Sequence, residues 1–575
     1  MAEITGGELV AASLLSQGVT HAFGVHGGHL DSMLEAMARS GITLVDTRHE
    51  ASAGHAAEAW TRTTGGLGVC FVTSGPGFTN AYTALANAHL DRIPMLMLTS
   101  SPPTRESGLN VLQGGFDQVE AARPVTRWAT RVDTTARIPD LVAQAVRVAH
   151  SSPPGPVLMD LPINVLFRGV DESLATSGAP VPIEAPAPSP QAVARVLDLL
   201  GKAERPVVVV GGGAALSPGA REALEALVGS TTIPVVASSW GHGMLPADHP
   251  CLLGGLTELA TLPLLVEAPD LVLLLGARRG IFLGGRGTSM IPEGATVVQV
   301  DIDGGEPGRI PVALGVQADV GELLRSLGSA SRGATLPDWS EWNEATKAAQ
   351  GALGMLYSDA DPITASGRIH PYVVSQRVAE ALDPDGILVY DGGESSAWIN
   401  GFARAGRPGS WFGNGYLGGL GVGPGMAIGA QVANPDRDVV LVTGDGALGF
   451  HIQEWDTMAR HALPIITVVF NNLGWGMSFH GQEALFGPDT HVVSDLPETR
   501  YDLIAESFGL HGERVEDPDE IAGAIARARA SRRPSCIDIA VAPDVVHPIM
   551  DSMVAGVPEG HTALPYYEPI PPGEI

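Results

Sequence analysis

Residues 444–472, GDGALGFHIQEWDTMARHALPIITVVFNN, constrain this chain more than any other stretch. They follow an apolar run, 439–442, that reads as a buried strand. A GDG turn comes next, then a helical segment, a second apolar strand at 465–470 and the pair Asn471-Asn472. Two strand ends therefore meet at one edge of an α/β sheet, where loops and helix N-termini offer unpaired N–H groups to a ligand. Taken alone, a GDG is most often a turn with a surface Asp. Paired with a strand-terminal Asn side chain and a loop carbonyl beyond it, Asp445 becomes part of a hard-oxygen set suited to Mg²⁺. Magnesium held by few protein ligands usually also binds phosphates of a substrate or cofactor.

The 575 residues, 45% hydrophobic and 17% charged, exceed what one core can hold. The expected fold class is α/β, with three doubly wound parallel-sheet domains. Helix and strand patterns alternate over 1–176, 192–345 and 360–546. A Pro-rich linker at 177–191 (SGAPVPIEAPAPSPQ) separates the first two, and a tail follows from 547 to 575. A formal charge of −29 argues against nucleic acid or an anionic membrane as partner. Cys70, Cys251 and Cys536 lie too far apart in sequence for a ligand spacing or a disulfide framework. The N-terminus carries an early Glu where a signal peptide would be positive, and no apolar run approaches spanning length, so a cytoplasmic location is expected.

Within the first domain, a strand at 20–25 runs into His26-Gly27-Gly28-His29, whose glycines let the backbone approach a ligand. Glu50 opens a helix after a strand at 42–46; in isolation it is a favourable dipole partner. A strand at 68–73 leads into SGPGFTN, residues 74–80. The middle domain begins with a strand at 206–210 and the turn 211–213, a partial dinucleotide fingerprint whose third glycine position is Leu216. In the third domain, the strand 387–390 ends in DGGES, 391–395. The run NGYLGGLGVGPGMAIGA, 414–430, either cradles phosphate with its N–H groups or is a helix packed closely on a sheet.

Together, GDG with NN, the Glu50 segment and SGPGFTN resemble the motifs of thiamine diphosphate enzymes. The whole chain resembles the acetolactate-synthase-like superfamily, with its order of pyrimidine-binding, middle and diphosphate-binding domains. That resemblance implies thiamine diphosphate and Mg²⁺ as cofactors, with Asp445, Asn472 and the Gly474 carbonyl on the metal. It implies Glu50 as the acid that activates the pyrimidine ring. Around the cofactor it implies His26, Gly27, Thr73, Gly75, Asn80, Gly393, Ser395, Gly418, Leu420, Gly446 and Ala447, with Leu420 wedged between the two rings. In such enzymes the middle domain holds a nucleotide, flavin or ADP, or nothing; nothing is expected here, with ADP the alternative.

The segments ITGGELV, GVHGGHLD, DTRHEASAGHAAE, LQGGFDQV, GYLGGLGVG and NNLGWG resemble those of benzaldehyde lyase. His29 and Gln113 fall on its active-site histidine and glutamine. The likeness implies reversible cleavage of 2-hydroxyketones to aldehydes, with His29 as acid and base and Gln113 orienting the substrate oxygen. The alternatives are a 2-hydroxyacyl-CoA lyase giving formyl-CoA and a carbonyl compound, a pyruvate enzyme like acetolactate synthase, or a catalytically silent paralogue. The partners implied are a small carbonyl substrate and a second copy of the chain, since the family's site lies between subunits; a dimer is the minimum and a tetramer the expectation. Pocket-wall positions Ile163, Glu394, Ser396 and Gly481 are less aromatic here, which points to a more open, more polar pocket. The tail is either a disordered end or a lid.

Overall fold

A computed structural model describes residues 3–176, 178–285, 290–330, 336–550, 557–564, 567 and 569–573. Ser177 of the expected linker, and 551–556, 565, 566, 568, 574 and 575 of the tail, lie outside the described residues.

Three six-stranded sheets, parallel throughout, form the three α/β units. The N-terminal sheet runs, in spatial order, Thr43–Asp46, His21–Gly24, Gly68–Val72, Met95–Ser101, Pro156–Pro162, Trp128–Arg131. The C-terminal sheet runs Trp411–Gly413, Ile387–Asp391, Val439–Gly444, Ile466–Asn471, Ser535–Ala540, His511–Val515. Counted along the chain within each unit, both orders are 2-1-3-4-6-5. The middle sheet, from Leu252–Gly254 to Leu314–Gln317, has the order 3-2-1-4-5-6 of a dinucleotide-type fold. Central strands such as Pro206–Val210 and Leu271–Leu275 are buried along their whole length, as apolar runs covered on both faces must be.

The N- and C-terminal units share one hydrophobic core, which passes through two helices, Glu50–Thr64 and Val422–Ala433. The first is capped at His49, whose Nδ1 accepts from the Ala51 N–H, and it stops at Gly65, which takes the left-handed conformation at φ 72°. Small residues let the two helices approach closely. A Cβ on Gly425 would stand 2.6 Å from the Ser52 carbonyl, and one on Gly429 2.0 Å from that of Ala56. Gly429→Ala should therefore cost ~3 kcal/mol as an overpacked contact against immovable backbone. A thermal unfolding scan showing no fall in the first transition would contradict that.

The segment after the C-terminal unit is anchored at its start: His547 and Met550 are buried, and the His547 ring meets Trp398 edge-on at 4.5 Å. Among the described residues no helix is long and apolar enough to cross a membrane.

Candidate active site

In an open parallel sheet a ligand finds room where the strand order reverses. The N-terminal sheet reverses between His21–Gly24 and Gly68–Val72, and the C-terminal sheet between Ile387–Asp391 and Val439–Gly444. Nearly all the site residues expected from sequence sit beyond these four strand ends or on the loops facing them.

On the N-terminal side, His29 Nδ1 lies 2.6 Å from Ser74 Oγ, and Ser74 Oγ lies 3.3 Å from Gln113 Oε1. Thr73 Oγ1 reaches the same oxygen at 3.5 Å, and Gly27 lies so near Thr73 that a Cβ there would stand 2.4 Å from the Thr73 Cβ. Gln113 itself adopts φ 57°, a left-handed conformation costly for a residue with a Cβ, so its side chain is held against strain. Gly75, also left-handed, donates its N–H to Gln118 Oε1 at 2.9 Å. Glu50 begins its helix at the same edge, where Asn80 Nδ2 donates to its Oε2 at 2.9 Å. Burial lowers the His29 pKa and so favours the neutral imidazole a base requires. With Nδ1 engaged by Ser74, only Nε2 is left to face a ligand. His26 differs: its Nε2 pairs with Asp31 at 2.8 Å, and its side chain is 72% exposed.

On the C-terminal side, the GDG expected as a turn is the junction itself: Gly444 ends the strand and Asp445 begins the helix Asp445–His451. Asp445 is 2% exposed, and burial pushes its pKa up to about 7 against the N–H groups of Gly446, Leu473 and Gly474 that favour the charge. Among the described residues no basic side chain pairs with it, so a bound cation would relieve that penalty. In one orientation the Asn472 amide donates to Asp445 Oδ1 at 3.1 Å and to the Gly474 carbonyl at 3.0 Å; in the other, its oxygen faces those two acceptors. An Asn472 oxygen about 3 Å from each of the other two suits neighbouring corners of an octahedron around Mg²⁺ at about 2.0–2.1 Å. The residues thus fit the ion. Among the described residues no three His, Cys, Asp or Glu side chains gather as a metal cluster, so one carboxylate with neutral oxygens is the donor set on offer.

The glycine-rich run divides its work. The N–H groups of Gly421 and Gly423 go to the buried Asp391 carboxylate at 3.1 and 2.8 Å, so of the two readings of this run the phosphate cradle does not apply to them. Gly425 and Gly429 serve the helix contact already described. Gly418 and Leu420 remain on the cavity wall. Ser395 Oγ bonds the Asp391 carbonyl, and Trp475 packs over Gly446, where a Cβ would stand 2.8 Å from the indole.

Gly393, Ser395, Gly418, Leu420, Asp445, Gly446, Ala447, Asn472 and Gly474 line one cavity of about 2280 Å³. It runs from the metal-fitting end past Trp398 and Tyr416 to the middle-domain turn at Gly211, Gly212 and Gly213, and tail residues Val557, Tyr567 and Pro569 border it. Close packing accounts for that glycine turn, because a Cβ on Gly211 would stand 2.3 Å from the Gly276 carbonyl; no finding supports ADP there. Glu50, His29 and Gln113 are not among the residues lining this cavity. The N-terminal residues and the metal-fitting residues therefore do not share that cavity.

Of the pocket-wall positions, Ser396 and Glu394 face the cavity. The space expected at Gly481 is instead taken by Met550, whose Cε stands 3.3 Å from where a Cβ would be. Glu394, expected only as a polar wall residue, is hydrogen-bonded to His480 at 2.7 Å, 86 residues along the chain, and no periodicity or spacing could have shown it. Sequence reasoning also gave no role to Ser74 or Gln118, which hold the His29 and Gly75 loops. A hydroxyl or amide between two candidate groups has no signature of its own.

Three family models match the chain. They are the thiamine pyrophosphate enzyme N-terminal TPP binding domain at residues 4–121, the central domain at 193–327 and the C-terminal TPP binding domain at 391–539. The acetolactate synthase large subunit IlvG of Mycobacterium tuberculosis is 35% identical over 547 residues, covering 94% of this chain and 96% of its own. A probable acetolactate synthase large subunit of Methanocaldococcus jannaschii is 30% identical over 555 residues, covering 95% and 93%. The 2-hydroxyacyl-CoA lyase 2 of Mus musculus is 32% identical over 552 residues, covering 88% and 84%.

Proposed function

This chain belongs to the thiamine pyrophosphate enzymes of the acetolactate-synthase-like superfamily, and from that premise we propose that it is a carbon–carbon lyase and carboligase acting on 2-hydroxy carbonyl compounds, with 2-hydroxyacyl-CoA as the favoured substrate. The observation that carries the reading is the His29–Ser74–Gln113 chain at the N-terminal switch point. Cleaving R–CH(OH)–C(O)–SCoA between C1 and C2 gives R–CHO and formyl-CoA, and the hydroxyl proton must go to a base. His29 Nε2 takes that proton, while Ser74 and Gln113 fix the ring's other nitrogen and orient the substrate oxygen. A decarboxylating enzyme has no equal need for such a base.

Two further observations favour the thioester. Relatives of this length carry that activity in their name. The cavity of about 2280 Å³ exceeds the roughly 300–1,000 Å³ usual for small ligands and extends away from the metal-fitting end, as a long carrier requires. Free 2-hydroxyketones of the benzaldehyde-lyase kind are the second reading, favoured by His29 and Gln113 falling together in space.

Thiamine diphosphate, when bound, supplies the carbanion-stabilising chemistry. Asp445, Asn472 and Gly474 would hold Mg²⁺ for its diphosphate, with Gly393, Ser395, Gly446 and Ala447 beside them. Glu50 and Asn80 serve the pyrimidine end. Because the N-terminal and metal-fitting half-sites do not share a cavity in one chain, the working site closes between two copies. Exposed apolar side chains near each half-site, Leu112 and Phe116 on one and Leu417 and Phe450 on the other, favour that association.

Product analysis with a short 2-hydroxyacyl-CoA, benzoin and pyruvate in parallel tests the reading. Formyl-CoA with an aldehyde is the expected result. Carbon dioxide from pyruvate, with neither hydroxy compound consumed, would assign the chain to the other branch. His29→Ala should slow cleavage by about 10²–10⁴-fold, the usual cost of a lost acid–base group, while cofactor affinity, read by calorimetry, stays near the parent's.

A further inference from the structure

Glu394 begins the helix Glu394–Asn400 at the C-terminal switch point, and only 6% of it is exposed. Its Oε1 lies 2.7 Å from His480 Nδ1 and accepts a longer contact, 3.4 Å, from the His547 N–H. His480 Nε2 lies 2.8 Å from the Pro543 carbonyl. A carbonyl only accepts, so Nε2 carries a hydrogen, and the short Nδ1–Oε1 contact must then hold a second proton. Burial pulls the His480 pKa down, but the hydrogen bond and charge of Glu394 outweigh it, and the net shift is upward. The pair therefore shares one proton along that contact, and Glu394 draws His480 toward its protonated form.

The other carboxylate oxygen, Oε2, has no hydrogen-bond partner among the described residues. It flanks Gly476, where a Cβ would stand 2.7 Å from it and 2.6 Å from Asn472 Nδ2, and Glu394 lines the same cavity as Asp445, Asn472, Ser396 and Met477. A carboxylate oxygen that opens on the cavity without a donor from its own chain is satisfied by water or by a ligand. A ligand that displaces water here replaces its hydrogen bond only if it brings an O–H or N–H. An alkyl group, an aromatic ring or a second carboxylate does not.

We propose that Glu394, oriented by His480, is a specificity-determining residue that selects 2-hydroxy carbonyl substrates bearing a further hydrogen-bond donor, a hydroxyl or an amino group, beyond the reacting pair. The inference rests on the function proposed above for the carbonyl substrate and adds the chemistry of its neighbouring group. It also sets this pocket against the carboxylate of a 2-oxo acid and against an unsubstituted aromatic ring.

The test compares two ketones of nearly equal shape, 1,3-dihydroxyacetone and 1-hydroxybutan-2-one, which differ in one hydroxyl against one methyl. Dissociation constants for the holoenzyme, measured by calorimetry, are read beside kcat/KM for cleavage. The parent should bind dihydroxyacetone at least about tenfold more tightly, the size of one hydrogen bond to a buried charged group. Glu394→Leu should bring the two within about twofold or reverse them. Glu394→Gln, which keeps an acceptor oxygen, should retain part of the preference.

Equal affinities in the parent, or a preference undiminished in Glu394→Leu, would overturn the inference. Should Glu394→Leu not fold, replacing Glu394 and His480 together by alanine removes the pair as a unit and carries the same two outcomes. Failure of the proposed function has a different sign: no form cleaves a short 2-hydroxyacyl-CoA or either ketone, while the binding ratio still decides the role of Glu394.

Discussion

Asp445→Ala is expected to yield a folded protein that no longer retains thiamine diphosphate. Asp445 is the one carboxylate in the three-oxygen set with Asn472 and Gly474, and it sits in a pocket dry enough to push its pKa up to about 7. Without a cation that burial is a penalty; with Mg²⁺ and a diphosphate it becomes a strong, poorly screened attraction. Removing the carboxylate leaves the ion with neutral oxygens alone. The loss of cofactor affinity should exceed the roughly 10–100-fold that follows removal of a mere outer partner of a metal ligand. The fold should survive, because among the described residues the side-chain partner of the Asp445 carboxylate is the Asn472 amide, and the Tyr501 hydroxyl donates to the Asp445 carbonyl, which alanine keeps. Calorimetric titration with thiamine diphosphate and Mg²⁺ reads the effect, and an affinity within about threefold of the parent would remove Asp445 from the site.

Glu50→Gln should separate binding from activation. In the structure Glu50 accepts from Asn80 Nδ2 at 2.9 Å, a contact the amide oxygen of glutamine can also make, so the variant keeps its local fold. An amide cannot exchange a proton near neutral pH. Turnover should fall by at least about 10²–10⁴-fold while the cofactor still binds. The decisive readout is exchange of the cofactor's C2 proton in deuterated water. Exchange as fast in the variant as in the parent would make Glu50 a helix-terminus carboxylate and nothing more.

Much of this fold was legible because parallel strands buried on both faces read as continuous apolar runs. The strand Pro206–Val210 and its neighbour Leu271–Leu275 begin and end where those runs do. Legibility failed where pairing outlasts the apolar pattern. The strand Val439–Gly444 continues through Thr443 and Gly444, because Gly444 pairs with Phe470 across the ladder, and the supposed turn becomes a strand-to-helix junction. The glycine-rich segment at 414–430 was readable as special, but not as two devices. Which N–H groups are left for a phosphate depends on Asp391, whose carboxylate takes those of Gly421 and Gly423 from a strand some thirty positions earlier.

The site was legible by parts. Motif residues sit at strand ends, so pattern and family resemblance together pointed to His29, Glu50, Asp445 and Asn472, which the structure has at or just after strands of the two terminal sheets. The groups that tune them were not legible, because Ser74 and Gln118 act through single hydrogen bonds that leave no periodic trace. Glu394 and His480 lie far apart in sequence, as do Gly481 and the Met550 side chain that occupies the space beside it.

The most direct test of the account follows formyl-CoA and aldehyde release from a short 2-hydroxyacyl-CoA, first with enzyme stripped of cofactor and metal and then after adding thiamine diphosphate and Mg²⁺ singly and together. The account predicts no turnover in the stripped protein and recovery only when both are present, with the two products formed in equal amounts. Full turnover by the stripped protein would contradict it.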